Sequence, residues 1–142
     1  GAMGYGVAAA VAAALRHPDR QVVAVAGDGD FLMNGQELAT AVQHGCDMLV
    51  IIVDNGSYGT IRMHQEREYP GRVSGTGLSN PDFAALGAAY GCWSQAVEKT
   101  GEFAAALDAA TAESGVKLLH LKIDAEEQLT AGGLTVAKLR GA

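Results

Sequence analysis

Two apolar runs, residues 21–26 and 48–53, constrain this chain more than any other feature. Each is too short for a membrane span and too continuously apolar for a half-exposed strand, so each reads as a buried strand of a parallel sheet. Between them, Leu38, Ala41 and Val42 recur at helical spacing over 36–44, and Gly45 stands where a helix-ending glycine belongs. The runs end in Gly27-Asp28-Gly29 and in Asp54-Asn55-Gly56-Ser57-Tyr58-Gly59. In a parallel α/β sheet both turns open onto the carboxyl edge, where such folds bind ligands. Asp28 and Asn55 bring hard oxygen donors framed by glycines, a pattern suited to a divalent cation holding a phosphate group.

The rest of the chain is consistent with that frame. Residues 5–15 are almost wholly Ala, Val and Leu, which predicts a helix buried on most of its circumference and stopped at Pro18. The run 21–26 is expected to be a central strand. Segment 54–79 is rich in glycine with a charged centre, and reads as a long functional loop or lid. Ser79 or Asn80 would cap the next helix with Pro81 in its first position, and Phe83, Leu86 and Tyr90 would mark its inner side. A weaker strand at 92–97, a helix capped by Thr100 and ending near 114, and a fourth strand at 116–123 follow. Asp30 reads as part of a loop, and the tail from Asp124 as a surface segment or short helix. With right-handed crossovers this order gives one domain over 1–142, an α/β parallel sheet with helices on both faces.

Several function classes drop out. The 142 residues have a formal net charge of -6, which gives no electrostatic support to nucleic-acid binding. No stretch resembles a membrane span or a secretory leader, and Cys46 and Cys92 match neither a disulfide framework nor a zinc motif, so a cytoplasmic setting is expected. The dinucleotide fingerprint that Gly27 and Gly29 begin fails at Leu32, and no P-loop motif exists. His17, His44 and His120 read as surface or capping residues. His64, in the long segment after the second turn, is the histidine placed for a substrate-facing role.

Three segments in order, Gly1-Ala2-Met3-Gly4-Tyr5-Gly6, Gly27-Asp28-Gly29 and Asn55-Gly56-Ser57-Tyr58-Gly59, resemble the C-terminal diphosphate-binding domain of thiamine-diphosphate enzymes of the acetolactate synthase, benzoylformate decarboxylase and pyruvate decarboxylase family. The resemblance implies the thiamine-diphosphate-binding fold, truncated at its N-terminus. It implies that Asp28 and Asn55 bind Mg²⁺ through side chains and Ser57 through its backbone carbonyl. Gly27, Gly29 and Asp30 would meet the diphosphate, with Tyr58 and Gly59 closing the other side. Met3 would wedge under the cofactor, and the Gly1 carbonyl would accept from the aminopyrimidine. The activating glutamate is expected in the pyrimidine-binding domain of a second subunit, which this chain lacks together with the middle domain. The implied activity is carboligation or decarboxylation of 2-oxo acids in a homo-oligomer, with the fragment inactive alone. Two departures stand out: Asp54 replaces the family's first asparagine, and Ala8 stands where proline is common. The alternatives are a nucleotide-binding oxidoreductase module using NAD(P), or a noncatalytic interface subunit.

Overall fold

A computed structural model describes residues 1–125 and 141. Helix α1 (Tyr5–Arg16) precedes strand β1 (Val22–Gly27), and helices α2 (Asp28–Asn34) and α3 (Glu37–Gln43) lead to strand β2 (Met48–Asp54). Helices α4 (Gly59–Glu68) and α5 (Phe83–Ala89), strand β3 (Trp93–Val97), helix α6 (Phe103–Ala112) and strand β4 (Val116–Lys122) complete the order. A short 3₁₀ turn, Thr100–Glu102, leads into α6. The expectation for the tail lies outside the described residues from 126 onward, apart from 141.

Among the described residues the four strands are all parallel and lie in the order β1-β2-β4-β3. On one face, Ala24, Ala26, Met48, Val50, Ile52 and Leu118 form a core with Val7, Val11, Phe31, Leu38 and Phe83 of α1, α2, α3 and α5. On the other, Leu49, Leu119 and Val97 pack against Ala106 and Ala110 of α6. Helices therefore cover both faces, as the apolar runs imply. Cys46 and Cys92 are buried and free, and burial raises the Cys92 thiol to about 11. Among the described residues, no helix is long and apolar enough to cross a membrane.

Five expectations need correction. Strand β1 is an edge strand among the described residues: Val23 and Val25 lie on the α6 face, in register with Leu49 and Ile51, and remain exposed. Helix α1 buries only the stripe Val7, Ala10, Val11 and Ala14, because alanine gives it an apolar composition all round while only one side meets the sheet. Asp28 and Gly29 form the first turn of α2 rather than a free turn, and Asp30 lies inside that helix, so Gly29's poor helix propensity concealed an element. The segment 54–79 contains α4, whose polar sequence lacks an apolar period and whose only buried residue is Glu66. The caps shift too. Asp82, not Ser79 or Asn80, caps α5, its carboxylate accepting from Ala84 N at 2.9 Å and Ala85 N at 3.1 Å, while Thr100 sits within the 3₁₀ turn.

Candidate functional site

A cavity of about 310 Å³ opens at the carboxyl ends of β1 and β2, lined in part by Met3, Asp28, Asn55, Ser57, Tyr58 and Ile61. Gly27, Gly29, Asp30 and Gly59 also line it, so nine of the ten residues expected to meet a cofactor lie on one concave surface. Gly1 is exposed and lies outside that lining.

Local chemistry puts each wall in place. Gly4 has a φ of 79°, and a Cβ there would lie 2.9 Å from Met33 Cβ, so only glycine fits. Its N–H donates to Asp30 Oδ1, and its carbonyl accepts from Asn34 Nδ2 at 2.7 Å. This clasp fixes the chain just before α1 and brings half-exposed Met3 to the cavity rim. The Asp30 side chain is thus structural. Opposite, the ring of Tyr58 closes over Gly29, where a Cβ would come within 2.4 Å of Tyr58 Cε1. A Cβ on Gly59 would sit 2.8 Å from Asn55 Nδ2. The glycines at these positions permit the second wall to approach the first.

The segment returning from α4 braces the second wall. Tyr58 N donates to Thr76 O at 2.9 Å, Leu78 N to Gly56 O at 2.8 Å, and Ser57 Oγ to Thr76 O at 3.0 Å. Asn55 Oδ1 accepts from Ser57 N at 3.0 Å, which orients the amide within the turn and leaves the oxygen a second lone pair. His64 lies on exposed α4, its Nδ1 3.0 Å from Arg67 Nη2, and it does not line the cavity.

Two polar residues join the site that the sequence reading placed elsewhere. Asn80 Nδ2 donates to Asp28 Oδ2 at 2.6 Å and to Asp54 Oδ1 at 2.7 Å. His120 is buried in β4, against Phe83 at a centroid distance of 5.1 Å, with Nε2 2.8 Å from Asp54 Oδ2. It is neither a surface nor a capping residue. The signal for His120 was a lone histidine inside a continuous apolar run, a position that a buried polar group occupies only with a partner. Asn80 gave no such signal, since Asn-Pro-Asp after a loop also describes a helix cap.

The two aspartates differ electrostatically. Burial pushes the Asp28 carboxyl above its ordinary value, Asn80 and the Gly29 N–H pull against it, and neighbouring Asp54 adds to the rise. Burial acts in the same sense on Asp54, but donors from His120, Gly56 and Asn80 outweigh it, and the net shift is downward. Because Asp54 is held ionised, the His120 nitrogen facing it is an N–H donor.

These donors can be tested against a hydrated divalent cation carrying a diphosphate. Among the described residues, no group of three or more His, Cys, Asp or Glu could hold a metal, so a thiolate or imidazole site is not available there. A mixed set of one carboxylate, one amide oxygen and one backbone carbonyl is a hard-oxygen set that leaves room for water and phosphate oxygens, which fits Mg²⁺. The Ser57 hydroxyl donates to Thr76 O, and its carbonyl accepts from Gly59 N at 2.8 Å and keeps a second lone pair for a ligand. The residues fit.

Known proteins point the same way. The family model for the C-terminal TPP-binding domain of thiamine pyrophosphate enzymes matches residues 1–121. The isozyme 2 large subunit of acetolactate synthase from Escherichia coli K12 is 38% identical over 130 residues, covering 91% of this chain and 24% of that protein. The mitochondrial catalytic subunit of acetolactate synthase from Saccharomyces cerevisiae is 36% identical over 124 residues, 87% of this chain and 18% of its own length. Among solved structures, benzoylformate decarboxylase from Polynucleobacter necessarius superposes with a TM-score of 0.80 at 31% identity, over 87% of this chain and 24% of its own. The thiamine diphosphate-dependent 4-hydroxybenzoylformate decarboxylase of Rhodococcus jostii RHA1 gives 0.79 at 32%, over 86% and 23%. The chain thus spans about a quarter or less of the length of these relatives. Nothing among these relatives favours a nucleotide-dependent oxidoreductase.

Proposed function

Since the chain belongs to the family of C-terminal TPP-binding domains of thiamine pyrophosphate enzymes, we propose that its cavity holds Mg²⁺-thiamine diphosphate for a 2-oxo-acid enzyme of the acetolactate synthase or benzoylformate decarboxylase kind. The observation that carries the reading is the convergence of Asp28, Asn55 and Ser57 on one cavity from the ends of neighbouring strands. Asp28 and Asn55 ligate Mg²⁺ through side-chain oxygens, and Ser57 through its backbone carbonyl. First-turn N–H groups of α2, at Gly29 and Asp30, have no backbone carbonyl acceptor within the helix and bind the diphosphate, with Tyr58 and Gly59 on the other side.

When bound, the cofactor's thiazolium supplies an electron sink for making or breaking the carbon–carbon bond beside the substrate carbonyl. The chain's own contribution is position and charge. Met3 presses an apolar side chain against the cofactor, the Gly1 carbonyl accepts from its aminopyrimidine, and the Tyr58 ring keeps water from one side of the diphosphate. The group that activates the pyrimidine, a glutamate, comes from the pyrimidine-binding domain of a second subunit in a homo-oligomer. On this reading the described residues form a single diphosphate-binding domain, inactive without that partner.

The test is calorimetric titration of thiamine diphosphate with Mg²⁺ into the full-length enzyme carrying this chain, wild type against Asp28→Ala. Losing a charged ligand is expected to weaken binding by about a hundredfold or more, roughly 2.7 kcal/mol. Undiminished binding by the variant would sink the reading.

A further inference from the structure

Two carboxylates on adjacent strand ends, Asp28 and Asp54, both lie within hydrogen-bond distance of a single nitrogen, Asn80 Nδ2, at 2.6 and 2.7 Å. Carboxylates that share a site repel, and without a donor between them they would turn apart or share a proton. We propose that Asn80 is a positioning residue which clamps this pair so that only Asp28 is presented to the divalent cation. The inference rests on the metal reading above and adds a residue and a mechanism to it.

The geometry sorts the four carboxylate oxygens. Asp54 Oδ1 accepts from Gly56 N at 2.9 Å and from Asn80, and its Oδ2 accepts from His120 Nε2 at 2.8 Å. Both Asp54 oxygens are committed within the protein, which withdraws that residue from the ion although it stands next to Asn55. Asp28 has Oδ2 on Asn80 and the Gly29 N–H as its one backbone donor, a smaller donor set than that of Asp54, so it keeps acceptor capacity for a ligand. Asn80 arrives from the far side of the segment returning from α4, two residues before the Asp82 cap of α5, so both ends of that segment are anchored.

The orientation of the amide supports the assignment. Asn80 Oδ1 is buried with no hydrogen-bond partner, a state that costs free energy. Flipping the amide would place that oxygen against two carboxylates instead, so the paired acceptors dictate the orientation. A residue that only filled space would show no such constraint. Asparagine also supplies the donor without adding a charge, which lysine or arginine would have put in competition with the cation.

The experiment reads bound Mn²⁺ by loss of the free-ion paramagnetic resonance signal. Mn²⁺ is titrated into the full-length enzyme with thiamine diphosphate, and activity is not needed. Asn80→Ala is expected to raise the Mn²⁺ dissociation constant by about tenfold, as removal of partners that orient metal ligands does. In an Asp54→Asn background, where the second charge is gone, the same change should cost less than about threefold. That coupling is a readout which a merely structural role would not move. A loss of equal size in both backgrounds, or no loss at all, overturns the inference. Should Asn80→Ala fail to fold, Asn80→Ser, whose side chain is too short to bridge both carboxylates, is put through the same cycle with the same criteria. Asp28→Ala is the control on the underlying reading: if it leaves Mn²⁺ affinity unchanged, the metal site itself is wrong, whereas a weakened Asp28→Ala beside an unaffected Asn80 variant rejects the clamp alone.

Discussion

The ends of β1 and β2 each bring an aspartate to the same edge of the sheet, and the two carboxylates have opposite circumstances. Asp28 is 3% exposed, holds one side-chain donor, and has its carboxyl raised by burial. Asp54 is surrounded by donors from His120, Gly56 and Asn80, and its carboxyl is lowered despite burial. The difference teaches how one residue type divides into two jobs. A carboxylate left short of donors destabilises the empty fold and is available to a cation, while one saturated with donors stabilises the fold and is not.

The most severe way to break that contrast is to remove the donor at the centre of the second aspartate's shell. His120 is 1% exposed and lies edge-to-face on Phe83. His120→Ala should leave Asp54 ionised beside a void, and is expected to cost about 3 kcal/mol, the range for breaking one side of a buried pair. Urea denaturation at neutral pH measures it. His120→Gln, which can still donate to Asp54, should lose markedly less, and equal losses for the two variants would mean that the ring's packing, rather than its N–H, is what the fold needs.

A smaller effect with opposite signs sharpens the same contrast. For Asp28, a folded value raised above the unfolded one means that stability falls as pH rises through that interval, so ionising the group destabilises the metal-free chain. Asp28→Asn should therefore raise the melting midpoint of the metal-free protein while weakening metal binding, a trade of function for stability. Asp54→Asn gives up a charge-assisted set of hydrogen bonds and should lower stability by about 2 kcal/mol. Thermal unfolding of both variants in the presence of chelator decides the matter, and a shift in the same direction for both would erase the distinction.

What could be read from the residues alone follows the same physical division. The strands were legible because sheet burial demands continuous apolar runs, and most of the cavity lining because small residues and oxygen donors cluster at two predicted strand ends. Helix α4 was not, since a helix braced by side-chain bonds such as Gln65 to Ser74 and Glu66 to Gly71 needs no apolar stripe. Helix α2 was hidden for a different reason: Gly29 lowers helix propensity, but the Tyr58 ring leaves no room for any side chain there. The edge position of β1 depends on which strands lie beside it, and composition carries no trace of that. Asn80 and His120 reach the site across 52 and 66 positions from Asp28 and Asp54, respectively, a separation that only the folded sheet closes.

A third aspartate, Asp82, extends the comparison to an exposed carboxylate and gives the smallest expected effect. Its carboxylate caps α5, and the N–H of Ala85 does most to lower its pKa, outweighing desolvation, the next largest influence, in company with Ala84 N–H and the nearby His120 and Lys122. The folded value thus lies below the ordinary 3.8, so the cap's contribution is complete above that pH and disappears as pH falls through the folded value. Asp82→Ala should cost about 1 kcal/mol at neutral pH, the usual worth of such a cap. The gap between wild type and variant, followed by denaturation from pH 7 downward, should hold level until it closes below 3.8. Asp82→Asn keeps an oxygen acceptor without the charge, so it should lose only part of the cap, by an amount that does not change with pH. A gap for Asp82→Ala that persisted unchanged in acid would show that Asp82 acts through shape and not charge, and would leave Asp54 as the one aspartate at this edge whose ionisation holds the fold together.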